Sequence, residues 1–130
     1  MRRSVLFVLG AALGLAACGG GGSPDILARQ VPLDNATRLR AQSLVDEGLH
    51  HPDSSFYRMD RAYLTAEGDT VICGSVNALA PKGSFSGFTP FYVRFEMKGK
   101  RSKTKQLLID TQIAPLHCAQ IAGGVVPRAG

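Results

Sequence analysis

Apolar side chains recur at every second position through much of the second half of this 130-residue chain. The clearest example is the series Phe91, Val93, Phe95 and Met97, which alternates with Tyr92, Arg94, Glu96 and Lys98. A period of two places successive side chains on opposite faces of a strand, so this series predicts a half-buried antiparallel strand. This pattern restricts the chain to folds that contain an antiparallel sheet.

Four strands are predicted from this alternation and from the turns that interrupt it. Their predicted ranges are residues 56–65, 70–78, 88–98 and 106–113. Gly68 can adopt the positive φ that a tight turn needs. Residues 70–78 are apolar on both faces, which is typical of a central strand. Residues 99–104 are predicted to form a basic turn.

One helix is predicted over residues 34–49. The positions Ala41, Leu44, Val45, Gly48 and Leu49 fall on one face of a 3.6-residue period. Asp34 or Asn35 can cap its first turn, and Pro52 follows its end. We therefore expect an α+β fold in which one N-terminal helix packs on an antiparallel sheet of about four strands, in two layers.

The N-terminus has the pattern of a secretory leader. Arg2 and Arg3 precede 13 apolar residues at positions 5–17. A membrane-spanning helix needs about 20 residues, so this run fits the h-region of a signal peptide. The sequence Leu-Ala-Ala-Cys at 15–18 resembles the lipobox of bacterial lipoproteins. That resemblance implies cleavage before Cys18, a diacylglycerol on its sulfur and an acylated amine; the alternative is an ordinary signal peptide that contains a cysteine.

These features predict four segments and a location. A lipoprotein signal peptide occupies residues 1–17, a flexible glycine-rich tether 18–33, the α+β domain 34–122 and a disordered tail 123–130. More than one acyl chain gives stable membrane anchoring. Because Gly19 rather than Asp follows Cys18, we expect anchoring in the outer membrane of a bacterial envelope, facing the periplasm.

The charge of the chain bears on its partners. The formal net charge is +5, and it falls to +3 when Arg2 and Arg3 are removed with the leader. This value and the envelope location both argue against nucleic-acid binding. Five basic residues crowd eight positions: Lys98, Lys100, Arg101, Lys103 and Lys105. They form either a solvated hairpin tip or a contact with anionic lipid or an acidic protein.

The cysteines admit three interpretations. If Cys18 is lipidated, Cys73 and Cys118 remain in an oxidising compartment, and we expect a disulfide between them. Their 45-residue separation gives a stabilisation of about 4 kcal/mol in the chain-entropy model. The alternatives are a catalytic thiol at Cys73 served by His117 and Asn77, or a zinc or copper site. No helix N-terminus is predicted beside Cys73 to lower the pKa of its thiol, so no catalytic residue is predicted. The CxxC or HxxxH spacing of a metal site is absent, so no metal ligand or cofactor is predicted.

Three further groups carry weaker signals. The segment GSFSG at 83–87 precedes a strand rather than a helix, which favours a hairpin connection over a phosphate loop. His50 and His51 are predicted to be a solvated helix end, and the alternative is a metal contact. The aromatic residues Tyr57, Tyr63, Phe85, Phe88 and Tyr92 are predicted to be core and cross-strand pairs, or else an exposed binding patch.

The middle of the chain resembles an uncharacterised family of small proteobacterial envelope proteins. The segments HPDSSFYR, VICGSVNA and GSFSGFTPF carry the resemblance, which covers about residues 52–95. The family motif V-C-G-x-V-N-A contains Cys73. The resemblance implies no reaction; it implies that Cys73 belongs to a fold-defining strand and that a C-terminal cysteine is its partner.

Three functions are consistent with the sequence. The first is a non-enzymatic lipoprotein that binds a protein or another envelope component. The second is a periplasmic inhibitor or immunity-type lipoprotein that acts on a cell-wall hydrolase through the loop at residues 80–88. The third is a thiol-dependent enzyme that uses Cys73. Only the third predicts a free thiol.

Overall fold

The structure is a computed structural model that describes residues 24–85 and 87–128. The predicted signal peptide, Cys18 and the glycine run lie outside the described residues. Within them, the elements in chain order are β1 (Ala28–Val31), α1 (Asn35–Asp46), β2 (Phe56–Thr65), β3 (Thr70–Asn77), β4 (Thr89–Lys98), β5 (Arg101–Ile109) and α2 (Ile113–Ala122), with one 3₁₀ turn at Pro52–Ser54.

The predicted α+β class is confirmed, but the element count is not. The described strands form one antiparallel sheet in the order β1-β2-β3-β4-β5, so five strands and two helices replace the predicted four and one. The first helix also follows a strand. The basic segment 101–104, predicted to be a turn, is the first part of β5, which ends at Ile109 rather than at residue 113.

Helix α1 forms where the apolar period predicted a helix. The Asp34 side chain accepts a hydrogen bond from the Thr37 backbone N–H at 2.7 Å, which caps the first turn. Ala41, Leu44 and Val45 are buried. They pack on one face of the sheet, against a core whose strand residues include Ile72.

Helix α2 was not predicted, and it adds a third layer. Asp110 Oδ1 accepts hydrogen bonds from the backbone N–H groups of Gln112, at 2.9 Å, and Ala114, at 3.0 Å. Pro115 is tolerated because the N–H groups of a first helical turn have no helical acceptor. Ala114 and Ile121 are buried against the sheet face opposite α1.

The sheet is therefore covered on both faces. Phe91 and Val93 of β4 point into the α1 core, and Tyr92 between them points into the α2 core. All three side chains are fully buried. The prediction that β4 is half-buried is wrong, because α2 covers the face that the alternation assigned to solvent.

Both margins of the folded part also differ from expectation. Strand β1 lies within residues 18–33, which were predicted to be tether. Its Ala28 N–H donates to the Gly124 carbonyl at 2.9 Å, and the Val126 N–H donates to the Ile26 carbonyl at 2.9 Å. Val126 is buried, although residues 123–130 were predicted to be disordered. The two margins are ordered because each satisfies the backbone groups of the other.

The two ends of the sheet carry different connections. The hairpin end, as we call it, holds the chain leading into β1 at Leu27, the turn at residues 66–69 and the β4–β5 tip at residues 99–100. The loop end holds the start of β2 at Phe56, the loop at residues 78–88 and the start of α2. The candidate binding surfaces described below lie at these two opposite ends of the sheet.

Candidate functional site

Cys73 and Cys118 form the predicted disulfide. Cys73 lies on β3, Cys118 lies on α2, and their Cα atoms are 5.9 Å apart. The bond fastens α2 to the sheet across a sequence separation of 45 residues. Because each sulfur is bonded to the other, Cys73 has no thiolate to act as a nucleophile, and neither sulfur is a free metal ligand.

The other residues of the thiol hypothesis have structural contacts. The His117 ring packs against Tyr92 at 5.2 Å between centroids, close to perpendicular. Its Nε2 lies 3.3 Å from Nε2 of Gln106. Asn77 lies at the loop end of β3, across the ladder from Phe56. No three His, Cys, Asp or Glu side chains within residues 24–85 and 87–128 are placed to hold a metal ion.

A buried ion cluster lies on the α2 side of the sheet. Arg94 Nε donates to Asp69 Oδ2 at 2.8 Å, and Lys105 Nζ donates to the same oxygen at 3.0 Å. Glu67 accepts from Arg94 at 3.0 Å. Burial raises the pKa of Asp69, but hydrogen bonds from Lys105 and Arg94 outweigh it and hold that pKa below its usual value. The cluster joins the turn between β2 and β3 to β4 and β5.

Tyr92 borders this cluster and stays neutral. Burial raises the pKa of Tyr92 to about 12, although the charge of Arg94 opposes the shift. Its hydroxyl is buried and forms no hydrogen bond with a described residue. Tyr92 and Tyr63 are core residues, so they do not belong to the aromatic patch that was one of the two expectations.

The predicted basic run is divided by the structure. The Lys105 side chain turns inward to Asp69 and is only one-third exposed. The four remaining residues are all exposed, and we call them the basic tip. Lys98 ends β4, Lys100 lies in the turn, and Arg101 and Lys103 lie on β5. Arg40 of α1 donates to the Lys100 carbonyl at 3.3 Å and adds positive charge nearby.

A set of exposed rings lies at the loop end. Phe56 is 61% exposed and Phe85 is 47% exposed, with their ring centroids 5.7 Å apart. The Arg58 guanidinium stacks over the ring of Phe88 at 3.8 Å. We call Phe56, Phe85, Phe88 and Arg58 the aromatic surface. Phe85 and Phe88 were among the predicted residues; Phe56 and Arg58 were missed, although an aromatic residue that opens a strand was visible in the sequence.

The loop that carries Phe85 is a defined turn. Gly83 has a φ of 83° and Gly87 a φ of 91°, which favour glycine at both positions. The Ala80 N–H donates to the Ser84 carbonyl at 2.8 Å, and Leu79 bridges to Phe85. This agrees with the predicted hairpin connection. Tyr57, beside the loop end, is half-buried and donates its hydroxyl hydrogen to Asp46; burial and that hydrogen bond raise its pKa.

A groove of about 680 Å³ adjoins the aromatic surface. Three arginines, Arg38, Arg58 and Arg61, line it together with Ser75 and the disulfide. None of the three forms an ion pair with a described residue. Arg38 donates to the Met59 carbonyl at 3.3 Å instead. We call this feature the arginine groove. It was not predicted, because no pattern in the sequence indicates it.

The comparisons with known proteins identify no relative of this chain. No protein-family model matches it, and no curated protein and no solved structure matches it either. The lipobox and the family resemblance therefore stay predictions.

In the part of the chain that the structure describes, no helix has the length and apolar character needed to cross a membrane.

Proposed function

We propose that this chain is a lipid-anchored protein of the bacterial envelope that binds a protein partner through its aromatic surface and catalyses no reaction. The observation that carries the proposal is the cluster of exposed phenylalanine rings at the loop end. Aromatic residues and arginine are enriched at the energetic centres of protein interfaces. Exposed apolar groups that lie together mark binding sites more often than isolated ones do.

The position of Pro24 supports an orientation in which the aromatic surface is directed away from the membrane. Pro24, the first described residue, leads into β1 at the hairpin end. The six Cα–Cα steps from Cys18 to Pro24 can span at most about 22 Å. A lipid on Cys18 would therefore keep the hairpin end near the bilayer and leave the aromatic surface directed away from it.

The basic tip fits this arrangement. It lies at the hairpin end, and its four side chains have no carboxylate partner among the described residues. A basic residue near an anionic bilayer contributes about 1 kcal/mol. Met97, 45% exposed beside the tip, offers an apolar group to the same surface. We assign the tip to anionic lipid and the aromatic surface to protein.

Site-specific photocrosslinking tests the protein-binding role. A photoreactive phenylalanine analogue replaces Phe85 in the full chain, produced with its own N-terminus in bacterial membranes. The matched control carries the analogue at Gln30, which is exposed on β1 away from the aromatic surface. We expect a discrete protein adduct from position 85 and none from position 30. Equal labelling, or no adduct at position 85, contradicts the proposal.

The anchor has its own test. Intact mass of the membrane-purified protein should show acyl chains on a chain that begins at Cys18. Cys18→Ser should move the protein from the membrane fraction to the soluble fraction, because the lipid is lost. A full-length mass without acyl chains, or unchanged membrane association of the variant, rules out lipid anchoring.

The inhibitor hypothesis is the second candidate, and the loop at residues 78–88 favours it. That loop presents Phe85 beyond the end of the sheet. Mixing the protein with cell-wall hydrolases should then lower their activity, and Phe85→Ala should restore it.

The thiol-enzyme hypothesis requires alkylation of Cys73 before reduction. We expect alkylation of Cys73 and Cys118 only after reduction.

A further inference from the structure

A β-bulge shapes the arginine groove. Arg58 pairs with Ser75 across the β2–β3 ladder and Arg61 pairs with Cys73, with Asp60 as the extra residue between them. Ser75 and Cys73 are two positions apart on β3 and so share a face. Positions 58 and 61 would face opposite sides of a regular strand; the bulge places both arginines on the α2 side.

The groove holds positive charge that the fold does not neutralise. Arg38, Arg58 and Arg61 line it, and Asp60 is the one acidic residue among its described lining residues. Arg94, on the same side of the sheet, contacts two carboxylates. Because the groove arginines have none, they retain their capacity to bind an anionic group from outside.

The groove is also open along one strand edge. Strand β1 pairs only with residues 62–65 of β2. Among the described residues, no strand pairs with residues 56–61 on that edge. There the Arg38 guanidinium donates a hydrogen bond to the Met59 carbonyl. An extended segment can lie along this edge and reach the arginines without displacing any element of the sheet.

We propose that the arginine groove binds an extended, acidic segment of the partner protein, with Asp or Glu carboxylates paired to Arg58 and Arg61. This inference rests on the proposed protein-binding function and specifies the chemistry of the partner. A guanidinium and a carboxylate match in two parallel hydrogen bonds, which gives both affinity and orientation.

The residues of this sequence outside the described part offer no acidic side chain to the groove. Residues 1–23 and 129–130, which lie outside the described part, contain no Asp and no Glu. Within the described part, Asp60 is the one acidic residue that lines the groove, and it forms no ion pair with any of the three arginines. Charge complementarity therefore points to a second molecule with an acidic segment.

The first experiment identifies the segment. A photocrosslinking residue replaces Ser75, which lines the groove, in the full chain in membranes. Ala66, which is exposed in the turn at the hairpin end of the sheet, serves as the control position. Digestion and mass spectrometry of the adduct should show a partner peptide with more Asp and Glu than Lys and Arg. A basic or neutral peptide, a lipid or glycan adduct, or no adduct at position 75 overturns the inference.

The second experiment separates this inference from the proposed function. Arg61→Glu should lower the yield of the Ser75 adduct at least about ten-fold, because each lost charged hydrogen bond is worth a factor of this size. Arg29→Glu makes the same charge change on exposed β1 and should leave the yield unchanged. Equal loss with both variants, or no loss with Arg61→Glu, overturns the inference.

The position-85 adduct distinguishes the two failures. If Phe85 still labels a protein but the Ser75 adduct is absent or insensitive to Arg61→Glu, the chain binds a protein and the acidic-segment inference fails alone. If neither position labels a protein, the proposed function fails as well.

Discussion

Two regions on the same side of the sheet contain arginines. In one the arginine is paired with carboxylates, and in the other the arginines have no carboxylate partner among the described residues. Arg94 on β4 is buried and contacts the carboxylates of Asp69 and Glu67. Arg58 and Arg61 on β2 are exposed and contact no carboxylate of a described residue. A buried charge without a partner is strongly unfavourable, whereas an exposed one is solvated. The first region therefore belongs to the fold, and the second is free to bind.

Helix α2 creates this contrast. It begins beside the groove, where Pro115 and Cys118 form part of the lining, and its far end packs Ile121 into the core near Tyr92. The strand positions under the helix are closed to solvent, and the β2 positions beyond its first turn stay open. The largest predicted effect consequently concerns the bond that fastens α2 to the sheet.

Loss of the disulfide should destabilise both regions. Cys73→Ser and Cys118→Ser should each lower the free energy of unfolding by about 4 kcal/mol, because the closed loop is long. The double variant should lose no more than either single variant, since both remove one bond. Urea unfolding of the three variants measures this. Additive losses would mean that the two sulfurs stabilise the fold independently, which the bond in the structure does not allow.

The ion cluster gives the next largest effect. Asp69→Asn removes the charge that Arg94 and Lys105 share and should lower the free energy of unfolding by about 3 kcal/mol, because Arg94 is left buried with only Glu67 as its partner. Asp60→Asn, the same change at the exposed bulge, should alter it by less than about 0.5 kcal/mol. Equal effects would erase the distinction between the two regions.

The pH dependence of stability should follow Asp69. Its pKa is lowered in the folded protein, so the unfolded chain binds a proton more readily. The stabilisation is then fully present above about pH 5 and is lost as pH falls through the folded-state pKa. Thermal unfolding between pH 7 and pH 3 should show a steeper loss for the unaltered protein than for Asp69→Asn. Parallel curves would mean that other carboxylates dominate.

A smaller effect is expected where the bulge meets β3. A Cβ at Gly74 would overlap the Arg58 carbonyl oxygen and lie 3.0 Å from Phe91 Cζ. Gly74→Ala should therefore cost about 2 kcal/mol of unfolding free energy through overpacking. Ser75→Ala, one position along the same strand, should cost less than half of that. A neutral Gly74→Ala would show that the bulge relaxes freely.

The sequence predicted the elements whose signal is local. The bounds of β2 agree with the structure at both ends, and the core face of α1 was identified from its period. The disulfide followed from counting cysteines. Strand β1 was missed because four residues that alternate poorly form a strand only when β2 and the C-terminal residues pair with them.

The other omissions have related causes. Helix α2 was missed because Pro115 interrupts its pattern and because the Asp110 cap lies inside what was read as a strand. The arginine groove could not be predicted at all. Whether Arg58 and Arg61 share a face depends on one extra residue in a ladder between two strands, and the alternation of a single strand does not specify it.

The smallest expected effect on stability tests the contrast most directly. Arg61 is exposed and has no ion pair with a described residue, so Arg61→Glu should change the free energy of unfolding by less than about 0.5 kcal/mol. The same substitution reverses a charge in the groove and should lower capture of an acidic segment at least about ten-fold. Unfolding curves and adduct yields from one preparation measure both quantities. If Arg61→Glu lowers both stability and binding, Arg61 has a structural role like that of Arg94. If it lowers binding alone, Arg61 has a binding role that is distinct from the structural role of Arg94.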